Sequence, residues 1–311
     1  MTYRIPLPVG GRQSQLDLVR SSSTGIQRQL RRDGLASYEP STAAALLTLF
    51  EQHGDDLSFA DVGANIGVYS CLAAAMFRPC AVRAFEPSPT TAAVADAIVR
   101  ANRLPVHVER VALSDEEGHA RLHLSPIADT SNSLDAGFRG GDESIDVVLT
   151  TLDRYVADSG WVPNVMKIDV ETHEAAVLRG AAETLRRHRP SVVVEILTGR
   201  RGRDFAAEIS DAFDGLGYLR YELTESPTFV AADRLRSSDG PTRDWLLSPE
   251  PLADDFAARH AHWAGLIAAC TPDRNPRPGV GEAVAGAMRR GGLREVIATA
   301  GRAARRSNRS T

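Results

Sequence analysis

Short apolar, β-branched runs alternate along this chain with alanine-rich stretches whose apolar positions recur at helical spacing. The strand-like runs fall at 57–62, 81–86, 105–111, 164–170, 191–196 and 218–223. Between them 66–77, 88–103, 173–188 and 202–216 read as helices. In 173–188 the residues Leu178, Ala181 and Leu185 share one face, and Gly217 suits the stop of the helix before it. Strand and helix in strict turn predict a parallel sheet covered on both faces. Val165-Met166 and Val192-Val193-Val194 support this, because strands buried on both sides lack alternating polar residues. Upstream, Ser41 reads as the N-cap of a covering helix that carries Leu46, Leu47, Leu49 and Phe50 and stops near Gly54.

The rhythm breaks at 118–150, where two strand candidates, 120–125 and 144–150, flank a Ser/Asn/Gly-rich middle. That pattern predicts a hairpin inserted at the edge or mouth of the sheet. A last strand, Asp244 to Leu247, ends before Pro249, and 251–268 reads as helix. Residues 1–40 show no sustained period and read as an extended arm. The expected organisation is an N-terminal arm (1–40), a doubly wound α/β domain (41–250) and a helical C-terminal extension with a basic tail (251–311).

Composition narrows the classes. With 311 residues, 43% hydrophobic and 24% charged, the chain matches a globule with a full core. A net charge of −4 gives no electrostatic reason to expect nucleic acid. No apolar block follows a basic start and no apolar run reaches membrane-spanning length, so a cytoplasmic protein is expected. Cys71, Cys80 and Cys270 match no zinc or redox spacing and read as reduced thiols. The tail positions Leu293, Val296, Ile297, Ala300 and Ala304 read as one helix face docking on its own domain or on a dimer mate. A membrane-surface anchor is the alternative reading of that tail. Among 36 basic residues a single lysine survives, Lys167. Arginine cannot copy a compact ammonium, so that position carries weight.

The stretch Phe59 to Gly67 is a strand running into a glycine-bearing turn and a helix, the nucleotide-binding unit of doubly wound sheets. A dinucleotide fingerprint wants G-x-G-x-x-G. Here Asn65 stands where the second glycine would be, and Asp61 would set a carboxylate near a pyrophosphate. S-adenosylmethionine reverses that preference: its sulfonium and ammonium suit Asp61, and its carboxylate can accept N–H groups from the turn at Gly63, Ala64 and Asn65. Glu86 follows the second strand, 23 residues after Gly63, where an acid can accept both ribose hydroxyls.

DVGANIG at 61–67, AFEPSP at 84–89, VALSD at 111–115, TLD at 151–153, KIDVETHEAAVLRGA at 167–181 and RPSVVVEI at 189–196 resemble the FkbM-type methyltransferases over roughly residues 38–250. The resemblance implies a mostly parallel, seven-stranded Rossmann-like sheet with an antiparallel last strand, and S-adenosylmethionine as cofactor. It implies O-methyl transfer to a hydroxyl of a sugar, glycolipid or polyketide-like acceptor. Asp61, Gly63 and Asn65 would then hold the methionine end, Glu86 the ribose, and Val111 and Ala112 the adenine. Thr172 departs from the pattern, since the family usually has glycine there; a branched residue disfavours positive φ. Thr172 could instead cap the following helix.

Methyl transfer to a hydroxyl needs in-line alignment and removal of a proton. Lys167, Asp169 and Glu171 are alternate residues closing the fourth strand. Asp169 is the first candidate to face the sulfonium or the acceptor, and Glu171 or His173 could take the proton. Lys167 could pair with these acids, or anchor strand to helix as a buried ion pair. Asp169 and Glu171 lack an evident third ligand, so no metal is expected. The rival readings are a nicotinamide-dependent oxidoreductase, disfavoured by Asp61 and Asn65, and a catalytically degenerate binding subunit.

Overall fold

The computed structural model describes residues 2–19, 24–77, 80–125, 132–135, 143–199, 202–224, 227–238 and 243–272. The tail positions from Leu293 to Ala304, expected to form a helix face, lie outside the described residues, as do Asp129, Thr130 and Ser131 of the insertion. The described chain forms one compact unit up to Thr271.

Residues 1–40 are not the extended arm that their composition predicts. They form a hairpin of β1 (Thr2–Pro6) and β2 (Gln15–Val19), followed by helix α1 (Gly25–Asp33). Ile5, Leu16, Leu18 and Leu30 are buried in the main core. The hairpin is tied down by Asn102, whose Oδ1 accepts from Asp17 N at 2.7 Å and whose Nδ2 donates to Asp17 O at 2.8 Å. Alternating apolar positions over only five residues, Leu16 and Leu18, were the available signal.

Helix α2 (Pro40–His53) follows, then β3 (Leu57–Val62), α3 (Val68–Met76), β4 (Cys80–Phe85), α4 (Pro89–Asn102) and β5 (Val106–Glu109). The predicted insertion is present. β6 (Ala112–Leu113), β7 (Gly118–His123) and β8 (Ser144–Thr150) make a small sheet of their own, with β7 and β8 antiparallel. The chain continues through α5 (Leu152–Ser159), β9 (Val165–Ile168), α6 (Glu174–Arg179), α7 (Ala182–His188), β10 (Ser191–Glu195), α8 (Phe205–Asp211), β11 (Leu219–Leu223), β12 (Asp244–Ser248) and α9 (Phe256–Ala268). The single helix read over 173–188 is broken at Gly180, which packs on the Ser114 carbonyl so closely that a Cβ there would lie 1.8 Å from its oxygen.

The main sheet has seven strands in the order β11-β12-β10-β9-β3-β4-β5. The pairs of β10, β9, β3, β4 and β5 are parallel, and β12 runs antiparallel to both of its neighbours. The fold class is therefore the doubly wound, mostly parallel α/β sheet expected from the sequence. Successive side chains along a strand enter opposite layers. Phe59, Val165, Val193 and Leu246 pack beneath α2 and α3, while Ala60, Met166, Val192 and Trp245 pack beneath α6 to α8. The carboxyl ends of β3, β4, β9 and β10 meet at the point where strand order reverses between β3 and β9, the usual position of a ligand crevice.

Candidate active site

The turn after β3 is shaped by a close approach of two strands. Gly63 has φ +79, and a Cβ on it would sit 1.9 Å from the Asp169 carbonyl oxygen. Only glycine lets the β3 turn and the end of β9 pass at this distance. The turn is fastened to the next strand, because Gly63 N and Ala64 N both donate to Phe85 O, at 3.0 and 3.1 Å. Asn65 takes the left-handed conformation at φ 51, which asparagine tolerates better than most residues. Its N–H donates to Glu86 Oε2 at 2.9 Å, and Ser88 N donates to Glu86 Oε1 at 2.9 Å. Burial pushes the Glu86 carboxyl up to about 7, against these two hydrogen bonds.

Gly63, Asn65, Glu86, Val111, Ala112, Asp169, Glu171 and His173 line one cleft of about 580 Å³. Phe85, Leu113 and the insertion's Leu122 and Leu134 supply its apolar walls. A slot with apolar walls and a few placed polar groups, the carboxylates of Glu86, Asp169 and Glu171 among them, is ordinary for a small-molecule site. Two of the expected cofactor residues stand back from it. Asp61 is buried at 2% exposure, and its Oδ2 accepts from Ser70 N at 3.0 Å and Ser70 Oγ at 2.6 Å. Its carboxylate fastens the first turn of α3 rather than facing the cleft. Burial raises its pKa, while Ser70 and Lys167 act the other way. Ala64 also stays out of the lining and serves the turn through its backbone, its N–H donating to Phe85 O and its carbonyl accepting from Gly67 N at 2.8 Å.

On the α2 face of the sheet, a row of charged side chains crosses four adjacent strands. Asp61 pairs in register with Lys167, and Glu195 with Asp244. Residues two apart on a strand share a face, so the apolar Phe59, Val165, Val193 and Leu246 give way to these polar groups toward the sheet's carboxyl edge. Lys167 is 2% exposed and its Nζ donates to Asp169 Oδ2 at 2.8 Å. Burial opposes the lysine's charge, but the carboxyls of Asp169, Glu39 and Asp244 outweigh it and hold the ammonium well above its usual range. Burial likewise opposes the charge of Asp169, and Lys167 overcomes it and holds that carboxyl below the usual range. Glu195 responds the other way. Burial, followed by the charges of Asp169 and Asp244, pushes it up to about 11, although Arg243 Nη1 lies 3.5 Å from its Oε1.

A second cleft of about 950 Å³ opens on this face. It shares Gly63, Asn65, Asp169 and Glu171 with the first and adds Glu195, Arg243, Ser37, Tyr38 and Glu39 among its lining. The two clefts therefore meet at Asp169. Helix α2 starts at Pro40 with Glu39 as its N-cap residue, not at the expected Ser41. Ser41 Oγ instead donates to Thr224 O at 2.6 Å.

The turn after β9 keeps positive φ despite its threonine: Glu171 has φ 53 and Thr172 φ 82. Two neighbours hold it there. The buried Glu174 carboxylate accepts from Val170 N at 3.1 Å and Thr172 N at 3.2 Å. Ser133 Oγ, from the insertion, donates to Glu171 O at 2.6 Å. Thr172 does not cap α6; its Oγ1 lies 3.5 Å from Ser133 Oγ, and His173 is the N-cap residue, without a side-chain capping bond to the helix. His173 lines only the first cleft and its Nε2 is 3.0 Å from Ser114 Oγ. Burial lowers its pKa. Among the described residues, no group of three or more His, Cys, Asp or Glu side chains is placed to hold a metal ion.

The sequence reading missed Tyr38, Glu39, Tyr69 and Arg243. Pro40, a proline suited to a first helical position, was the usable signal that the helix starts beside Glu39. Glu195 stood in the family-like RPSVVVEI run without an assigned role.

A switch-point cleft carrying Glu86, with a second cleft sharing part of its lining, sits at the carboxyl ends of a seven-stranded, mostly parallel sheet of the Rossmann-like methyltransferase class. The methyltransferase FkbM domain model matches residues 61–220, and the chain belongs to that family of methyltransferases. The hexuronic acid methyltransferase AglP of Haloferax volcanii is 34% identical over 178 residues, covering 53% of this chain and 66% of that protein. The 31-O-demethyl-FK506 methyltransferase FkbM of Streptomyces tacrolimicus is 28% identical over 186 residues, covering 50% of this chain and 66% of that protein. The chain thus spans just under two thirds of both relatives. A crystal structure of methyltransferase FkbM from Methylobacillus flagellatus aligns with TM-score 0.41 at 14% identity, covering 63% of this chain and 44% of that one.

Proposed function

We propose that the protein is an S-adenosylmethionine-dependent O-methyltransferase acting on a hydroxyl of a sugar, glycoconjugate or polyketide-like product. The observation that carries this reading is the meeting of the two clefts at Asp169. The first fits the cofactor. Glu86 suits the ribose hydroxyls, Val111, Ala112 and Leu113 suit an adenine, and the bare backbone at Gly63 leaves room for the methionine end. S-adenosylmethionine, when bound, supplies the methyl group on a sulfonium leaving group.

The second cleft is lined by carboxyl groups, an arginine and a tyrosine, the hydrogen-bonding chemistry that a hydroxylated small molecule or glycan presents. The names of the two relatives, one acting on a hexuronic acid and one on a demethylated FK506, agree with such acceptors. Lys167 keeps Asp169 ionised and oriented at the junction. Fixed as an anion, Asp169 is a weak base, but it is placed to accept a hydrogen bond from the acceptor hydroxyl and to favour positive charge beside it. Glu171 lines the same junction, whereas the placement of His173 ties it to the wall that Val111 and Ala112 form.

Calorimetry with S-adenosylmethionine and with NAD tests the cofactor. Binding of the former alone is expected; protection by NAD alone would reverse the assignment. Asp169→Asn should retain cofactor binding and lose turnover by about 10²-fold or more, the scale of a lost aligning group. Wild-type turnover in that variant would remove Asp169 from the mechanism.

A further inference from the structure

Glu39 lies outside the 61–220 stretch matched by the family model, yet the fold brings its carboxyl to the second cleft, beside the junction residues Asp169 and Glu171. Its backbone is held at φ 42 and ψ 58. A non-glycine residue with positive φ is uncommon, and the proline that follows restricts this residue further. Strain of this kind costs on the order of 1–3 kcal/mol and persists only where the surroundings over-determine it. Two contacts do so here. Tyr69 Oη donates to Glu39 Oε2 at 2.5 Å, and the Tyr69 ring packs on Tyr38 with centroids 5.6 Å apart. Lys167 Nζ, which donates to Asp169, stands 5.2 Å from the centroid of the same Tyr69 ring.

From this placement we infer that Glu39 is the group that takes the proton of the acceptor hydroxyl, with Tyr69 as its positioning residue. The inference rests on the methyl-transfer reading above. As the oxygen–carbon bond forms and the carbon–sulfur bond breaks, sulfur keeps the bonding pair and becomes a neutral thioether. The hydroxyl proton passes to the Glu39 carboxylate and leaves to solvent after product release. Asp169 cannot share this role equally, because Lys167 holds it as a firm anion. Glu195 holds its own proton well past neutrality.

Around Glu39 stand Lys167 and Asp169 at the end of β9, Asp244 on β12 and Tyr69 on α3, and Tyr38, Glu171, Glu195 and Arg243 line the same cleft. Burial, then Asp244 and Asp169, push its carboxyl up, Lys167 and the Tyr69 hydroxyl act against them, and the balance lies at about 7. A base with such a value is matched to work near neutrality. Because the base must be ionised, turnover rises with pH through that region and levels off above it.

The test uses the full chain, labelled S-adenosylmethionine and a panel of methyl hexopyranosides and methyl hexuronides, with kcat followed across the neutral range. Glu39→Gln should lower kcat by about 10²-fold or more and erase the neutral limb, with cofactor affinity by calorimetry unchanged. Glu39→Asp should restore the limb at part of the rate. Tyr69→Phe should move the limb upward, since the lost hydrogen bond favoured the charged form. Infrared difference titration needs no acceptor: beside Glu86 and Glu174, which burial also pushes up to about 7, the wild type should show one further carboxyl ionising near neutrality that Glu39→Gln lacks. A Glu39→Gln protein that keeps the wild-type limb, or the full titrating carboxyl signal, overturns the proposal. Failure of the wild-type chain to bind S-adenosylmethionine would instead overturn the reading beneath it.

Discussion

Gly63 and Gly67 offer a controlled pair, because both are left-handed, at φ +79 and +76, and differ in what a side chain would meet. An alanine at either position pays roughly 1–2 kcal/mol for that backbone conformation. At Gly67 the added Cβ would find Ala95 Cβ at 3.7 Å, an ordinary contact. At Gly63 it would lie 1.9 Å from Asp169 O and 2.8 Å from Asp169 C. Those are backbone atoms, so no rotamer change relieves the overlap. The strands must part by more than an ångström, against the Asp169 N to Val62 O hydrogen bond of 3.0 Å. Gly67→Ala should lose about 1–2 kcal/mol in urea unfolding and keep cofactor affinity. Gly63→Ala should lose a further 1–3 kcal/mol or so, the range for overpacking, and bind S-adenosylmethionine at least about tenfold more weakly, which is 1.4 kcal/mol. Urea midpoints at constant m-value and calorimetry read the two effects separately. Equal losses for the two variants would refute the claim that close passage at Asp169 shapes the cleft.

Glu86 has its folded-state pKa raised to about 7 by burial, so its contribution to stability is full at low pH and is lost as pH rises through about 7. The thermal midpoint should carry that decline, and Glu86→Gln should remove that part of it, as paired scans at mildly acid and mildly alkaline pH would reveal. Cofactor affinity should move the opposite way, strengthening through the same window because ribose hydroxyls donate better to a charged carboxyl; an affinity flat with pH by calorimetry would contradict this role. At the strained turn, Thr172→Gly should leave urea stability unchanged or slightly raised, since relief of roughly 1–2 kcal/mol at φ 82 offsets the entropy cost of glycine. Ser133→Ala should lose about 1–2 kcal/mol, because it strands the Glu171 carbonyl. A large loss from Thr172→Gly would show that the turn is not strained.

The sheet was legible because its strands are short, β-branched apolar runs bounded by turn residues, and length and composition together distinguish such runs from the longer alanine-rich helices between them. The first cleft was legible for a related reason: Gly63, Asn65, Glu86, Val111 and Ala112 come from consecutive strand ends, so chain order places them together. Asp61 misled because the strand's alternation puts its side chain under α3 beside Ser70, and a strand-end acid can face either layer. The second cleft was hidden because its walls are distant in sequence. Nothing local to Glu39, Glu195 or Arg243 announces that they converge. The hairpin at the N-terminus was missed because β2 packs against α4, a tertiary partner far along the chain.

Helix α9 packs along α2, where His260 Nε2 donates to the Ser41 carbonyl at 3.0 Å and Trp263 Nε1 donates to Glu51 Oε2 at 3.2 Å. The C-terminal end of the described fold thereby braces the first turn of α2, next to Tyr38 and Glu39. On the proposed reading, donor loading and partner choice are consequently written in separate stretches of polypeptide, the former in the central stretch and much of the latter at its two flanks. Exchange of those flanks between related chains could redirect which molecule is modified while leaving the donor's berth intact.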